Sequence, residues 1–124
     1  MTDTPATILV VDDDPFTAEL TAMIIEMAGF ETVIAEGGVD ALEKMQENPA
    51  LLAVVSDLNM PFMSGVELFG ELRQQGFLQP FLLISGEDPA RLRAAHPAID
   101  AVLAKDERLQ ENLAEVLESV IAGF

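Results

Sequence analysis

Leu51 to Val55, reading LLAVV, is an unbroken apolar run too short for an ordinary helix and without the alternation of a half-exposed strand. Such a run reads as a strand buried on both faces, at the centre of a sheet. Asp57 stands where the run gives out, followed by a loop containing Asn59, Pro61 and Gly65. A carboxylate at the carboxyl end of a buried strand lies in the crevice where open α/β sheets bind ligands. Taken alone, Asp57 equally fits a residue that caps or turns a loop.

The rest of the chain repeats the theme. Ile8 to Val11 is a second short apolar run and also ends in acid, at Asp12, Asp13 and Asp14. Pro15 suits a first helical position, with Asp14 or Asp13 as its cap. Phe16, Leu20, Met23, Ile24 and Met27 recur at three and four residues, which predicts a helix carrying that stripe to the core and stopping at Gly29. Glu31 to Ala35 predicts a strand, more polar at its start and so nearer an edge. Gly37 and Gly38 lead into a helix from about Val39 to Glu47, closed by Asn48 and Pro49.

Val66, Leu68, Phe69 and Leu72 mark a further helix that finishes at Gly76. Pro80 to Ile84 predicts a buried strand ending at Ser85 and Gly86. Asp88 and Pro89 begin a short helix through about Ala95, which His96 and Pro97 close. Ala101 to Ala104 predicts a fifth strand with Lys105 at its end, and Leu109, Leu113, Val116, Leu117 and Val120 line one side of a last helix. Five strands alternating with five helices over short loops imply an α/β fold with a parallel sheet covered on both faces.

The chain has 124 residues, 50 % of them apolar, enough for one core and not two. With no cysteine, disulfides and thiolate metal sites are excluded. The N-terminal MTDTPAT lacks a basic segment leading into an apolar run, and no apolar stretch nears the ~20 residues of a membrane helix. A cytoplasmic chain with no membrane partner is expected. The Met1 start and the full final helix suit one independent domain over residues 1–124 with no output domain. The 22 Asp plus Glu outweigh 6 Lys plus Arg, giving a formal charge of -16 that opposes binding to nucleic acid. Most surface carboxylates need no explanation beyond solubility.

Parallel strands share one direction, so Asp12, Asp13, Asp57, Ser85 and Lys105 are expected on one rim. Carboxylates gathered there oppose one another's ionisation by roughly 4 kcal/mol per pair at 4 Å in an effective dielectric near 20. A divalent cation relieves that repulsion, and ligands that are all oxygen favour Mg2+. Asp57 is then placed to act as a nucleophile on phosphorus, with Lys105 and Ser85 contacting the same group.

The chain resembles the receiver domain of bacterial response regulators, the family that includes the chemotaxis regulator. The likeness rests on ILVVDDDP, on the A-x-x-G-x-x-A-L of Ala35, Gly38, Ala41 and Leu42, on SDLNMPFMSGVEL, and on LLIS and LAK, and covers nearly the whole chain. It implies a doubly wound, flavodoxin-like (βα)5 sheet in strand order 2-1-3-4-5. It implies that Asp57 is the phosphoacceptor for a histidine kinase or histidine phosphotransfer protein. Asp12, Asp13 and Asp57 would serve Mg2+, Asp13 directly and Asp12 largely through water, with Asn59 offering its backbone carbonyl. Ser85 would be the hydroxyl that moves toward the phosphoryl group and Lys105 the cation that pairs with it. Asn59 and Glu87 occupy the two positions that tune acyl phosphate lifetime in that family, and the same pair in the chemotaxis regulator implies a short one. Glu87 equally fits a residue that merely precedes a helix cap. The implied outcome is a switch in binding to a downstream protein, as a monomer or a phosphorylation-dependent homodimer.

Departures lie downstream. Where many receivers have an aromatic three residues before the lysine, this chain has Val102, which lacks the bulk and rotameric freedom for such a relay. Lys105 is followed by Asp106 rather than proline, which argues against a cis bond there. Gly86 replaces the usual alanine, and the short fourth helix must draw its stability from packing. These features suit an alternative, a binding module whose output is uncoupled from phosphorylation. A haloacid-dehalogenase-type phosphatase is a more remote alternative. It wants Thr or Val two residues after its D-x-D, where this chain has Phe16, and room for a substrate cap. His96 reads as a capping or loop residue rather than a phosphate carrier or metal ligand. Of the methionines, Met23 and Met27 read as core, and Met60 and Met63 as contact residues beside Asp57.

Overall fold

The computed structural model describes residues 6–122; residues 1–5 and 123–124, and with them the Met1 start, lie outside the described part. Strands β1 (Thr7–Val11), β2 (Glu31–Ala35), β3 (Ala53–Asp57), β4 (Phe81–Ser85) and β5 (Ala101–Ala104) form one parallel sheet in the order β2-β1-β3-β4-β5. Helices α1 (Pro15–Met27), α2 (Gly38–Glu47), α3 (Gly65–Gln74), α4 (Pro89–Ala95) and α5 (Leu109–Ala122) make the crossovers. The fold is the doubly wound one that the sequence implies. Every residue of β3 and β4 is buried, whereas β2, with its charged start, forms an edge.

Alternation along the strands separates two packed layers. Ile8, Val10, Val55, Leu82 and Ile84 face α1 and α5, meeting Ala22, Ile25, Leu113 and Leu117. Leu9, Val11, Val54, Phe81 and Leu83 face α2, α3 and α4, meeting Ala41, Met45, Leu68, Leu72 and Leu92. Apolar burial on both sides of the sheet is the main source of stability.

Two sequence expectations are corrected. The central strand starts two residues later than the apolar run and continues through Ser56 to Asp57, which pairs with Ile84. Leu51 is buried ahead of it, and the Leu52 N–H donates to the Thr7 carbonyl at 2.8 Å. Asp57 is thus the last rung of a ladder rather than a loop residue. In α1 most of the expected stripe faces outward: Phe16, Leu20, Met23 and Met27 are between 45 % and 70 % exposed, Ile24 alone of the five packs half-buried against the core, and Ala18, Thr21, Ala22 and Ile25 are buried instead. The small residues Ala18, Thr21 and Ala22 let the helix lie close on the sheet around the buried Ile25, and most of the larger residues are left outside.

Asp14 caps α1, accepting from the Phe16 N–H and the Thr17 hydroxyl, each at 3.0 Å. Ser64 and Glu67 form a reciprocal capping box on α3, the Ser64 N–H donating to Glu67 at 2.9 Å and the Glu67 N–H to Ser64 at 3.1 Å. These fix the loop that leaves Asp57. At Gly65 a Cβ would stand 2.5 Å from the Asp57 carbonyl oxygen and 2.6 Å from Leu83 Cδ1, so only glycine permits that approach. At Gly38 a Cβ would meet Met63 Sδ, so this glycine gives the same loop its seat on α2. Met60 and Met63, expected as contact residues, are half-buried and pack against the core.

α4 has only seven residues, capped by Asp88 and started by Pro89, with Leu92 its buried residue and His96 at its end. Val102 is 3 % exposed beneath it, and Arg93 Nη1 donates to the Val102 carbonyl at 3.3 Å. Among the described residues no peptide bond is cis, the bond after Lys105 included.

Candidate functional site

The carboxyl ends of β1, β3, β4 and β5 deliver Asp12 and Asp13, Asp57, Ser85 and Lys105 to one rim, as the strand polarity requires. Asp12, Asp13 and Asp57 each place a carboxylate oxygen within 4.8 Å of the others, with Asp13 exposed and the other two buried. Lys105 Nζ lies 2.5 Å from Asp57 Oδ1. Counted as ionised, three carboxylates and one ammonium leave two negative charges, the complement of one divalent cation. Repulsion across such gaps is about 3 kcal/mol per pair at an effective dielectric near 20. The donor set is all oxygen, so it fits a hard ion.

Backbone geometry keeps the acids there. The Asp12 N–H donates to the Ala35 carbonyl at 3.1 Å, and Asp12 Oδ1 accepts from the Asp14 N–H at 3.0 Å. Burial pushes the Asp12 carboxyl above the ordinary carboxylate range; the Asp14 N–H and Lys105 oppose the rise, and the charges of Asp57 and Asp13 add to it. Asp14, turned away to cap α1, is held below that range by the Thr17 hydroxyl and the Phe16 N–H.

Ser85 ends β4, one residue beyond the partner of Asp57, and the Lys105 N–H donates to its carbonyl at 2.9 Å. Its hydroxyl accepts the Glu87 N–H at 2.8 Å, which turns the chain toward α4. Asn59 and Glu87 are both exposed on loops that leave this rim. Between α1 and α5, a cleft of about 250 Å³ opens beside Asp57 and Lys105, lined also by Thr17, Thr21 and Leu109. The two threonines escaped the sequence reading. Their spacing of one helical turn, beside the buried Ala18 and Ala22, was the available signal.

A family model described as the response regulator receiver domain matches residues 8–118. The sensor histidine kinase RcsC of Salmonella typhi is 35 % identical over 118 residues, 91 % of this chain and 12 % of that protein. A transcriptional regulatory protein, the CpxR homolog of Haemophilus influenzae, is 32 % identical over 110 residues, 88 % of this chain and 48 % of that protein. The chain spans about half the length, or less, of such curated relatives. Among solved structures, the chemotaxis response regulator CheY4 of Vibrio cholerae superposes with a TM-score of 0.82 at 29 % identity, over 94 % of this chain and 99 % of that one. A receiver domain from Clostridium thermocellum gives 0.85 at 21 % identity, over 95 % of each chain, which speaks for the fold alone. With this match over nearly all its length, the chain belongs to the response regulator receiver domains, the phosphoacceptor modules of two-component signalling.

Proposed function

We propose that Asp57 accepts a phosphoryl group from a histidine kinase or histidine phosphotransfer protein and that its occupancy switches binding to a downstream protein. The contact of Lys105 Nζ with Asp57 Oδ1 at 2.5 Å, inside a cluster of three carboxylates, carries this reading. An Asp57 carboxylate oxygen forms the new O–P bond as the P–N bond to the donor imidazole breaks, and the leaving imidazole takes up a proton. Asp12, Asp13 and Asp57, with the Asn59 carbonyl, would hold Mg2+, which supplies positive charge to the phosphoryl oxygens. Lys105 then pairs with a phosphoryl oxygen. Ser85 gives up the Glu87 N–H to reach the same group.

Asn59 and Glu87, exposed on the loops that leave this rim, then orient the water that hydrolyses the acyl phosphate. The chain thus catalyses its own phosphorylation and dephosphorylation and turns over no separate substrate, in the cytoplasm. Incubation with acetyl phosphate and Mg2+ is expected to add one phosphoryl group to wild type, mapped to Asp57, and none to Asp57→Asn. Equal labelling of the two proteins would end the assignment.

A further inference from the structure

We propose that Phe62 is the anchor by which the protein that phosphorylates Asp57 docks, its ring entering an apolar pocket flanked by Lys or Arg on that donor. The inference rests on the phosphoacceptor reading of Asp57 and concerns how the donor is chosen.

Phe62 combines two costs. Its φ of 69° lies in the left-handed region, which is unfavourable for a bulky side chain and is usual only for glycine or asparagine. Its ring is fully exposed, at 102 %, and gains nothing from burial in the isolated molecule. The neighbours on either side explain how the loop is held. Met60 and Met63 pack on the core, and the bare Cα of Gly38 receives Met63, so the loop is pinned while Phe62 is turned outward.

The surroundings point to the occupant. Phe62, Pro61, Met63 and Val39 line an open groove of about 250 Å³, and Val39 is itself 59 % exposed. Its polar edge is Asp13, Glu36 and Asp40, and among the described residues only Asp40 of the three forms an ion pair, with Lys44 at 2.9 Å. Asp13 belongs both to this edge and to the cluster around Asp57, so a body seated in the groove already stands at the phosphoacceptor. Asp57 is only 7 % exposed, so a macromolecular donor has to cover the rim to bring phosphorus to it. An acidic edge on a chain of net charge -16 opposes a second copy and favours a partner with a basic flank.

The test compares wild type with Phe62→Gly, a residue suited to the observed φ, using two kinds of donor in the presence of Mg2+. One is acetyl phosphate, too small to need a docking surface. The other is a panel of purified, autophosphorylated kinase domains and phosphotransfer proteins from the source organism, scored by early transfer to Asp57. Phe62→Gly is expected to raise the thermal midpoint by about 3 °C. It should keep acetyl phosphate labelling within about twofold and slow transfer from the protein donor at least about tenfold, with Phe62→Leu recovering part of the loss. Equal transfer to both proteins, or no transfer to wild type from any protein donor, overturns the inference. Loss of acetyl phosphate labelling in wild type instead overturns the assignment of Asp57. A defect confined to beryllofluoride-dependent binding of another protein would give Phe62 to a downstream partner. A wild-type dimer lost in Phe62→Gly would give it to a second copy, and either result overturns the proposal.

Discussion

Asp12 shows how the rim trades stability for function. Its carboxyl titrates higher in the folded protein than in the unfolded chain, chiefly through burial. Such a group contributes stability that is fully present below its unfolded pKa and is lost as pH rises through the folded one. In metal-free buffer the advantage of Asp12→Asn over wild type in urea unfolding should therefore grow as pH rises through and above the ordinary carboxylate range. A flat difference would contradict the burial argument. Asp14 has the opposite sign, since its carboxyl is lowered and its capping contribution fades in acid. Gly65→Ala should cost about 2–3 kcal/mol and slow labelling of Asp57, because the new methyl meets that residue's own carbonyl. Unchanged unfolding and labelling would mean that the approach is looser than 2.5 Å. Residue identities at the rim were legible from strand ends and acid placement. The hold of the Glu87 amide on Ser85 was not, since a two-residue turn leaves no pattern in the sequence.

At the level of elements, strands were easier to read than helices. A strand buried on both faces leaves a continuous apolar run, and β1, β4 and β5 lie within a residue of where those runs placed them. α1 was misread because it carries two apolar stripes of the same period, one of large residues and one, Ala18, Ala22 and Ile25, of mostly small ones. Periodicity favours the large ones; close packing on a sheet favours the small. Ile25→Ala should accordingly cost about 2–4 kcal/mol, whereas Met23→Ala should stay within about 0.5 kcal/mol. Comparable losses at the two positions would restore the original face. α4 offers a second case. Ser85 shares the turn that precedes the Asp88 cap, so if its hydroxyl leaves the Glu87 amide, that amide should exchange faster with solvent. Hydrogen exchange with and without beryllofluoride measures this, and undiminished protection at Glu87 would show that Ser85 does not move.

For the molecule as a whole, the charge of -16 means that the folded chain repels itself. Raising a monovalent salt from about 0.02 to 0.5 M should lift the thermal midpoint by several degrees, since screening shortens the Debye length from about 20 Å to under 5 Å. A fall would point to specific ion pairs outweighing the general field. The layered architecture was legible from alternation alone, while strand order came only with the family likeness, because adjacency is not written in any one segment. All the chemistry described here leaves the sheet from one end. The turns at the other end, across residues 28–30, 48–52, 75–80 and 96–100, include none of those side chains, and Leu78 there is 69 % exposed. A fluorescent reporter spliced in at Leu78 should therefore ride on the molecule without disturbing phosphate chemistry, which makes that end the natural handle for building a biosensor from this chain.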